Sequence, residues 1–217
     1  MFPPLCLPFP PRFSVYNLLL DGHGGSAADF ATTSMAKWHA QLKNFWETTL
    51  AGYQRVYVIA HSMGTLFALR AAVAYPDKIA GLFLLAVPLR PFVRPRAMLA
   101  SARLALGKYS NTHRMEQEML GDSGVQLAPR LWQYLGWVPR FWELLTEIRQ
   151  VRKLLPRLTV PTRAYQSRTD ELVAFSSVKL LAGHPAIHLT VLEHSGHFAY
   201  RETDIALLQA ELKEFLN

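Results

Sequence analysis

At 217 residues, half of them hydrophobic and 18% charged, the chain can bury one sizeable core and has the composition of a globular domain, not of a disordered segment. No apolar run reaches the roughly 18 residues needed to cross a bilayer, so stable membrane insertion is not expected. The lone cysteine, Cys6, excludes an internal disulfide framework and makes the cytoplasm the expected location. The net charge of +7 is uneven: residues 88–157 hold 12 Lys and Arg against 5 Asp and Glu, and the rest of the chain holds 11 of each. This basic segment reads as a solvated helical face, a basic lid over a substrate cleft, or a surface that prefers anionic lipid. No recognised nucleic-acid module accompanies it, so a nucleic-acid partner is not expected.

Residues 1–12 carry five prolines and no basic residue ahead of their apolar stretch, which does not make a secretory signal. Five short apolar runs then read as buried strands: 15–20, 55–60, 79–87, 162–166 and 187–192. Helical patterns lie between them. Residues 34–50 place Trp38, Leu42, Phe45, Trp46 and Thr49 on one stripe, and residues 63–75 stop before Pro76. Later helices are expected over 173–182 and 203–216. Strand–helix alternation implies an α/β fold with a parallel sheet covered on both faces.

The alternation breaks once. Residues 88–157 read as helices only, over about 96–106, 112–120, 128–135 and 139–154. The expected organisation is a core of residues 1–87 and 158–217 with a helical cap of residues 88–157 between two strands. The cap holds three of the five tryptophans, Trp132, Trp137 and Trp142, which are candidates for lining a substrate pocket and equally for packing the cap onto the core.

The residues that carry chemistry begin with Ala60-His61-Ser62-Met63-Gly64, which joins the apolar run 56–60 directly to a helical pattern. A serine on so tight a strand-to-helix turn projects above the sheet edge. The residues two before and two after it must be small, and Ala60 and Gly64 meet that demand. The Met63 N–H, at the positive end of the following helix, is then placed to stabilise an oxyanion. A serine hydroxyl needs a base. Of eight histidines, His197 lies in a loop after the last strand, preceded by Gly196, from where an imidazole can reach back over the sheet edge. His61 adjoins the serine but is expected to point elsewhere and to be structural. His194 with His197 has no third partner in its pattern, so no metal site is expected. Asp170, at the carboxyl end of the preceding strand, is the expected orienting acid, with Glu171 and Glu193 as competitors.

With residues 18–26 (Leu-Leu-Leu-Asp-Gly-His-Gly-Gly-Ser), these motifs resemble the α/β-hydrolase superfamily, and within it bacterial carboxylesterases and monoacylglycerol-lipase-like serine hydrolases. The resemblance extends from Phe13 to Asn217. It implies a mostly parallel sheet, an acyl pocket under residues 88–157, no cofactor, and cleavage of a small ester, acyl or aromatic, through an acyl-enzyme. One departure stands out. Family members place a further strand upstream, beside the nucleophile strand, and its loop gives the second oxyanion donor. Only about 20 residues precede Gly22 here, so the usual N-terminal strands are expected to be lacking, or 15–20 shifts into the vacant place with Gly24 and Gly25 offering the donor. Loss of one donor costs roughly 100- to 1000-fold in rate. The alternatives are therefore a catalytically impaired hydrolase-fold binding protein, or a thioesterase or acyltransferase on the same triad.

Overall fold

The structure is a computed structural model. It describes residues 9–92, 95, 99, 102–103, 106 and 134–217. Its centre is a four-stranded, all-parallel sheet in the order β1 (Val56–His61), β2 (Ile79–Leu85), β3 (Thr162–Ser167) and β4 (Ile187–Leu192). Helices α1 (Ala27–Ala31) and α2 (Met35–Glu47) precede β1. Helix α3 (Met63–Ala74) joins β1 to β2, and α4 (Trp137–Leu154) leads into β3. Helix α5 (Val178–Leu181) precedes β4, and α6 (Glu202–Phe215) closes the chain.

Strand β2 shows why both faces must be covered. Its side chains alternate across the sheet. Leu82 and Leu84 join Leu66, Leu69 and Ala72 of α3 and Ile148 and Val151 of α4 in one core. Phe83 and Leu85 join Tyr165 of β3 and Leu208 and Leu212 of α6 in the other. All four β2 residues are fully buried, so truncating any of them to alanine costs about 2–5 kcal/mol. Helix α6 is also pinned by polar contacts: Tyr165 donates its hydroxyl to Glu211 at 2.6 Å, and Arg163 bridges Glu214 at 2.8 Å.

The run 15–20 departs from its expected strand. No strand precedes β1 among the described residues, and Val15, Tyr16 and Leu19 are 47%, 48% and 63% exposed. A strand needs a ladder partner, and here side chains take that place. Gln41 of α2 donates to the Leu19 carbonyl at 2.8 Å and accepts the Asp21 N–H at 3.0 Å, while the Tyr16 and Tyr53 hydroxyls meet at 2.7 Å. Strand β1, which leads into Ser62, is consequently at the edge of the described sheet, with Tyr57 exposed.

Two helices differ from their expected spans. Helix α1 is additional; Ser26 caps it, accepting the Asp29 N–H while Asp29 accepts the Ser26 N–H. The helix expected over 173–182 is reduced to a 3₁₀ turn, Phe175–Ser177, and α5. The main chain around Val173 is committed elsewhere, pairing antiparallel with Pro91 through Phe92 N–H to Leu172 O and Ala174 N–H to Arg90 O. Of the expected cap helices, α4 matches the last, and Leu99, Ala102 and Arg103 are helical as expected over 96–106. The span 112–120, most of 128–135 and Trp132 lie outside the described residues.

Candidate active site

Ser62 sits between the last residue of β1 and the first of α3, at φ 50° and ψ −125°. A non-glycine residue in this left-handed region stores about 1–3 kcal/mol of strain, which the surroundings must hold in place. They do so on both sides of the serine. The Ser62 N–H donates to the Leu85 carbonyl at 2.9 Å, and the Ser62 carbonyl accepts both the Thr65 N–H at 3.0 Å and the Thr65 hydroxyl at 2.6 Å. Met63 opens α3, so its N–H has no acceptor within the helix. A Cβ placed on Gly64 would lie 3.8 Å from the Ala60 Cβ. The strand and helix thus pass within van der Waals contact, as the small residues at these positions require.

His197 is buried, 2% exposed, as is Asp170. The imidazole Nδ1 lies 2.9 Å from Oδ2 and 3.1 Å from Oδ1 of Asp170. The carboxylate is itself held: Oδ1 accepts the main-chain N–H groups of Leu172 at 2.8 Å and Val173 at 2.7 Å. The aspartate side chain therefore closes its own turn and presents its remaining acceptor capacity to the histidine. The two competing acids are engaged elsewhere. Glu193 pairs with Arg168 through two contacts, at 2.5 and 2.9 Å, on the surface. Glu171 accepts the backbone N–H of His197 at 2.6 Å.

The loops bearing Asp170 and His197 are fastened to each other. Thr169 donates its hydroxyl to the Ser195 carbonyl at 2.7 Å, and the buried Ser195 hydroxyl donates to Asp204 in the first turn of α6 at 2.6 Å. The Gly196 N–H closes onto the Ala199 carbonyl at 2.8 Å.

His61 lies close to His197. Its ring centroid is 4.9 Å from that of His197. Burial holds the His61 imidazole well below the usual histidine range, and the charge of a protonated His197 adds to this; a hydrogen bond with the His197 backbone acts the other way. His61 thus stays neutral at neutral pH. Its contact brings the elbow and the His197 loop together.

The glycine loop reaches the elbow through packing. Gly22 and Gly24 adopt φ +82° and +77°. A side chain at Gly22 would meet the Phe30 backbone at 2.9 Å. The His23 ring lies against Phe30 and Trp38, at 5.3 and 5.6 Å, and burial lowers its pKa, partly offset by hydrogen bonds to Leu20 and Asp21. Phe30, Trp38 and Leu20 share one apolar cluster with Met63. Gly25 lies against the Asp29 carboxylate that caps α1. Of the cap tryptophans, Trp137 donates its indole N–H to the Ala27 carbonyl at 2.9 Å and packs on Phe30 at 4.8 Å, whereas Trp142 is 62% exposed on the outer side of α4. No helix among the described residues is long and apolar enough to cross a membrane.

A metagenome-derived lipolytic enzyme of the LipS and LipT work is similar in structure, with TM-score 0.64 and 21% identity over 90% of this chain and 79% of that one. The monoacylglycerol lipase of Paleococcus ferrophilus gives 0.58 and 16%, covering 85% and 76%. A 2-hydroxy-6-oxo-6-phenylhexa-2,4-dienoate hydrolase from Rhodococcus sp. strain RHA1 gives 0.61 and 19%, covering 92% and 74%. By sequence, no curated protein matches the chain. The model of the family described as serine aminopeptidase, S33 (Hydrolase_4) matches residues 11–204, most of the chain. On that match, and with the parallel sheet and its helices arranged as in these neighbours, the chain belongs to the serine aminopeptidase S33 family of hydrolases, within the α/β-hydrolase superfamily.

Proposed function

We propose that the chain cleaves carboxylic esters through an acyl-enzyme, with Ser62 as nucleophile, His197 as general base and Asp170 as the orienting acid. The observation that carries this reading is the buried Asp170–His197 pair at 2.9 Å, with the His197 ring 4.9 Å from that of His61, the neighbour of a serine held at φ 50°. Ser62 Oγ attacks the ester carbonyl carbon, and His197 Nε2 takes the hydroxyl proton. Asp170 keeps the other imidazole proton on Nδ1 and stabilises the imidazolium. The tetrahedral oxyanion is received by the Met63 N–H, with Gly24 or Gly25 as the second donor. Collapse expels the alcohol, which takes the proton from His197, and water then repeats the cycle on the acyl-enzyme.

The lipolytic neighbours support an ester with an acyl chain, and the phenylhexadienoate hydrolase supports an aromatic group in the same pocket. Trp132 and Trp137 of the proposed cap, residues 88–157, are the proposed contacts for it, whereas Trp142, exposed on the outer side of α4, drops out of that set; the basic character of the segment favours an anionic group on the substrate. Ser62→Ala is expected to abolish hydrolysis of short p-nitrophenyl esters; turnover at the parent rate would reject the assignment. Matched ester, thioester and amide substrates separate esterase from thioesterase and aminopeptidase chemistry. Failure of a fluorophosphonate to label Ser62 in the folded protein would favour the binding-protein reading, which the edge position of β1 motivates.

A further inference from the structure

Asp170 and Glu171 are consecutive acids that act on different parts of one histidine. Asp170 meets the imidazole, and Glu171 meets the main chain: Glu171 Oε2 accepts the His197 N–H at 2.6 Å, a short, charge-assisted bond. The preceding residue shows how closely the carboxylate is seated. A Cβ on Gly196 would fall 2.6 and 2.8 Å from the two carboxylate oxygens and 3.0 Å from the carbon between them. Gly196 is not in the left-handed region, so its backbone places no demand for glycine. A side chain at this position would have to displace the Glu171 carboxylate.

Resting on the ester-hydrolase reading above, we propose that Glu171 is a positioning residue for the base: its carboxylate fixes the His197 backbone, and so sets the height of the imidazole over Ser62. The histidine is then held by Asp170 at Nδ1, by Glu171 at the peptide N–H and by the hydrogen bond of His61 with its backbone. Without Glu171 the peptide N–H loses its partner, and the ring has more freedom to pivot about the Nδ1 contact. The other groups against the ring are His61, which burial keeps neutral, and Phe198, whose ring is 5.1 Å away. The His197 N–H itself is taken by Glu171.

The test combines kinetics with a readout independent of turnover. Glu171→Ala is expected to lower kcat on a p-nitrophenyl ester roughly 10- to 100-fold, the scale of a 1 Å misplacement, with KM within about twofold. Glu171→Gln, which keeps an acceptor oxygen, restores most of that loss. Gly196→Ala drives its methyl into the carboxylate and lowers kcat to a similar degree. The double variant Glu171→Ala/Gly196→Ala is no slower than Glu171→Ala alone, because both changes break one contact. In NMR spectra the His197 amide proton lies far downfield in the parent protein and moves upfield in Glu171→Ala, whatever the activity. Turnover that survives Ser62→Ala would reject the triad. Ser62-dependent turnover that Glu171→Ala leaves within twofold, losses that multiply in the double variant, or an amide proton that does not move would overturn the role of Glu171. Should Glu171→Ala not fold, Glu171→Gln and Gly196→Ala carry the same comparison.

Discussion

Asp170→Asn offers the sharpest test of the proposed roles, because the structure dictates which way the new amide must point. Oδ1 of Asp170 accepts two main-chain N–H groups, from Leu172 at 2.8 Å and Val173 at 2.7 Å. An asparagine must place its oxygen there. The opposite orientation would set an NH₂ against two buried donors, at roughly 1–3 kcal/mol for each donor left unpaired. At about 2–6 kcal/mol in all, the reversed amide is a minor species. The NH₂ therefore occupies the Oδ2 position, 2.9 Å from His197 Nδ1, and donates to it. Nδ1 becomes an acceptor, and the imidazole proton moves to Nε2, the nitrogen that must take the proton of Ser62. The base is then in the wrong tautomer while its position is unchanged. A drop in kcat/KM of roughly 10,000-fold is expected, the scale of the same error in other Ser-His-Asp enzymes and equal to about 5.5 kcal/mol. The thermal midpoint should stay within a few degrees, since both main-chain bonds survive. Asp170→Ala, which loses those bonds, should melt earlier as well as react slowly. Initial rates on a p-nitrophenyl ester give the first number, and ¹⁵N spectra of the imidazole give the tautomer. Activity within tenfold of the parent, or a proton still on Nδ1, would refute the assignment of Asp170.

Three further outcomes follow from the packing. Glu147, buried on α4, accepts from Arg70 of α3 at 2.9 and 3.0 Å and contacts His39 of α2 at 3.1 Å; Glu147→Ala should cost about 2 kcal/mol in urea unfolding, discounted because Arg70 and His39 are each about one-third exposed, and Glu147→Gln should cost less. An equal loss in the two variants would show that the charge contributes nothing. Gly64→Ala should stabilise by roughly 0.5–1 kcal/mol, since the new methyl meets the Ala60 Cβ at an ordinary 3.8 Å and the helix loses a flexible residue; a lower melting midpoint would mean that strand and helix are closer than they are drawn. Finally, His23 and His61 both hold folded-state pKa values below the histidine reference, chiefly through burial, so below about pH 6.5 the unfolded chain takes up protons that the folded chain does not. Stability should fall on acidification from pH 7 toward 5, by up to about 1.4 kcal/mol per pH unit for each group, and unfolding midpoints that stay level over that window would contradict it.

The elbow was legible in the sequence because its demands are local: a strand, a small residue on either side of Ser62, and a helix with no break between. Asp170 and His197 were legible for a related reason, each following the carboxyl end of a strand, where side chains of a parallel sheet converge. The run 15–20 was misread because its apolar pattern does not say whether a partner strand exists; Gln41, distant in sequence, holds that backbone instead. Helix α1 carried a readable sign, Ser26 three residues before Asp29, but five residues give no periodicity. The division of labour between Asp170 and Glu171 was beyond sequence reasoning, since neighbours in a loop differ only in where the turn aims them. A small residue beside the base, Gly196, was the one available hint. Glu147 likewise carries no local sign, because its partners lie on two other helices.

The site is held together by two sets of fastenings, and this sets which perturbations should travel. The acid and base loops are tied to each other and to α6 through Thr169, Ser195 and Asp204, and none of these contacts involves α4. Helix α1 and the entry to α2, which follow the glycine loop, are tied instead to the start of α4. Trp137 holds the Ala27 carbonyl, Arg140 holds the Ala31 and Thr33 carbonyls, and Glu143 accepts the Met35 N–H at 2.9 Å. Gly136 is seated so closely that a side chain there would strike the Ala31 Cβ at 2.6 Å. A shift of α4 therefore pulls on α1 and, through Ser26 and Asp29, on Gly24 and Gly25, while leaving the Asp170–His197 pair where it is. On the proposed roles, with those glycines completing the oxyanion site, a shift of α4 is expected to act on transition-state stabilisation, and changes around Ser195 and Asp204 on the proposed base, His197.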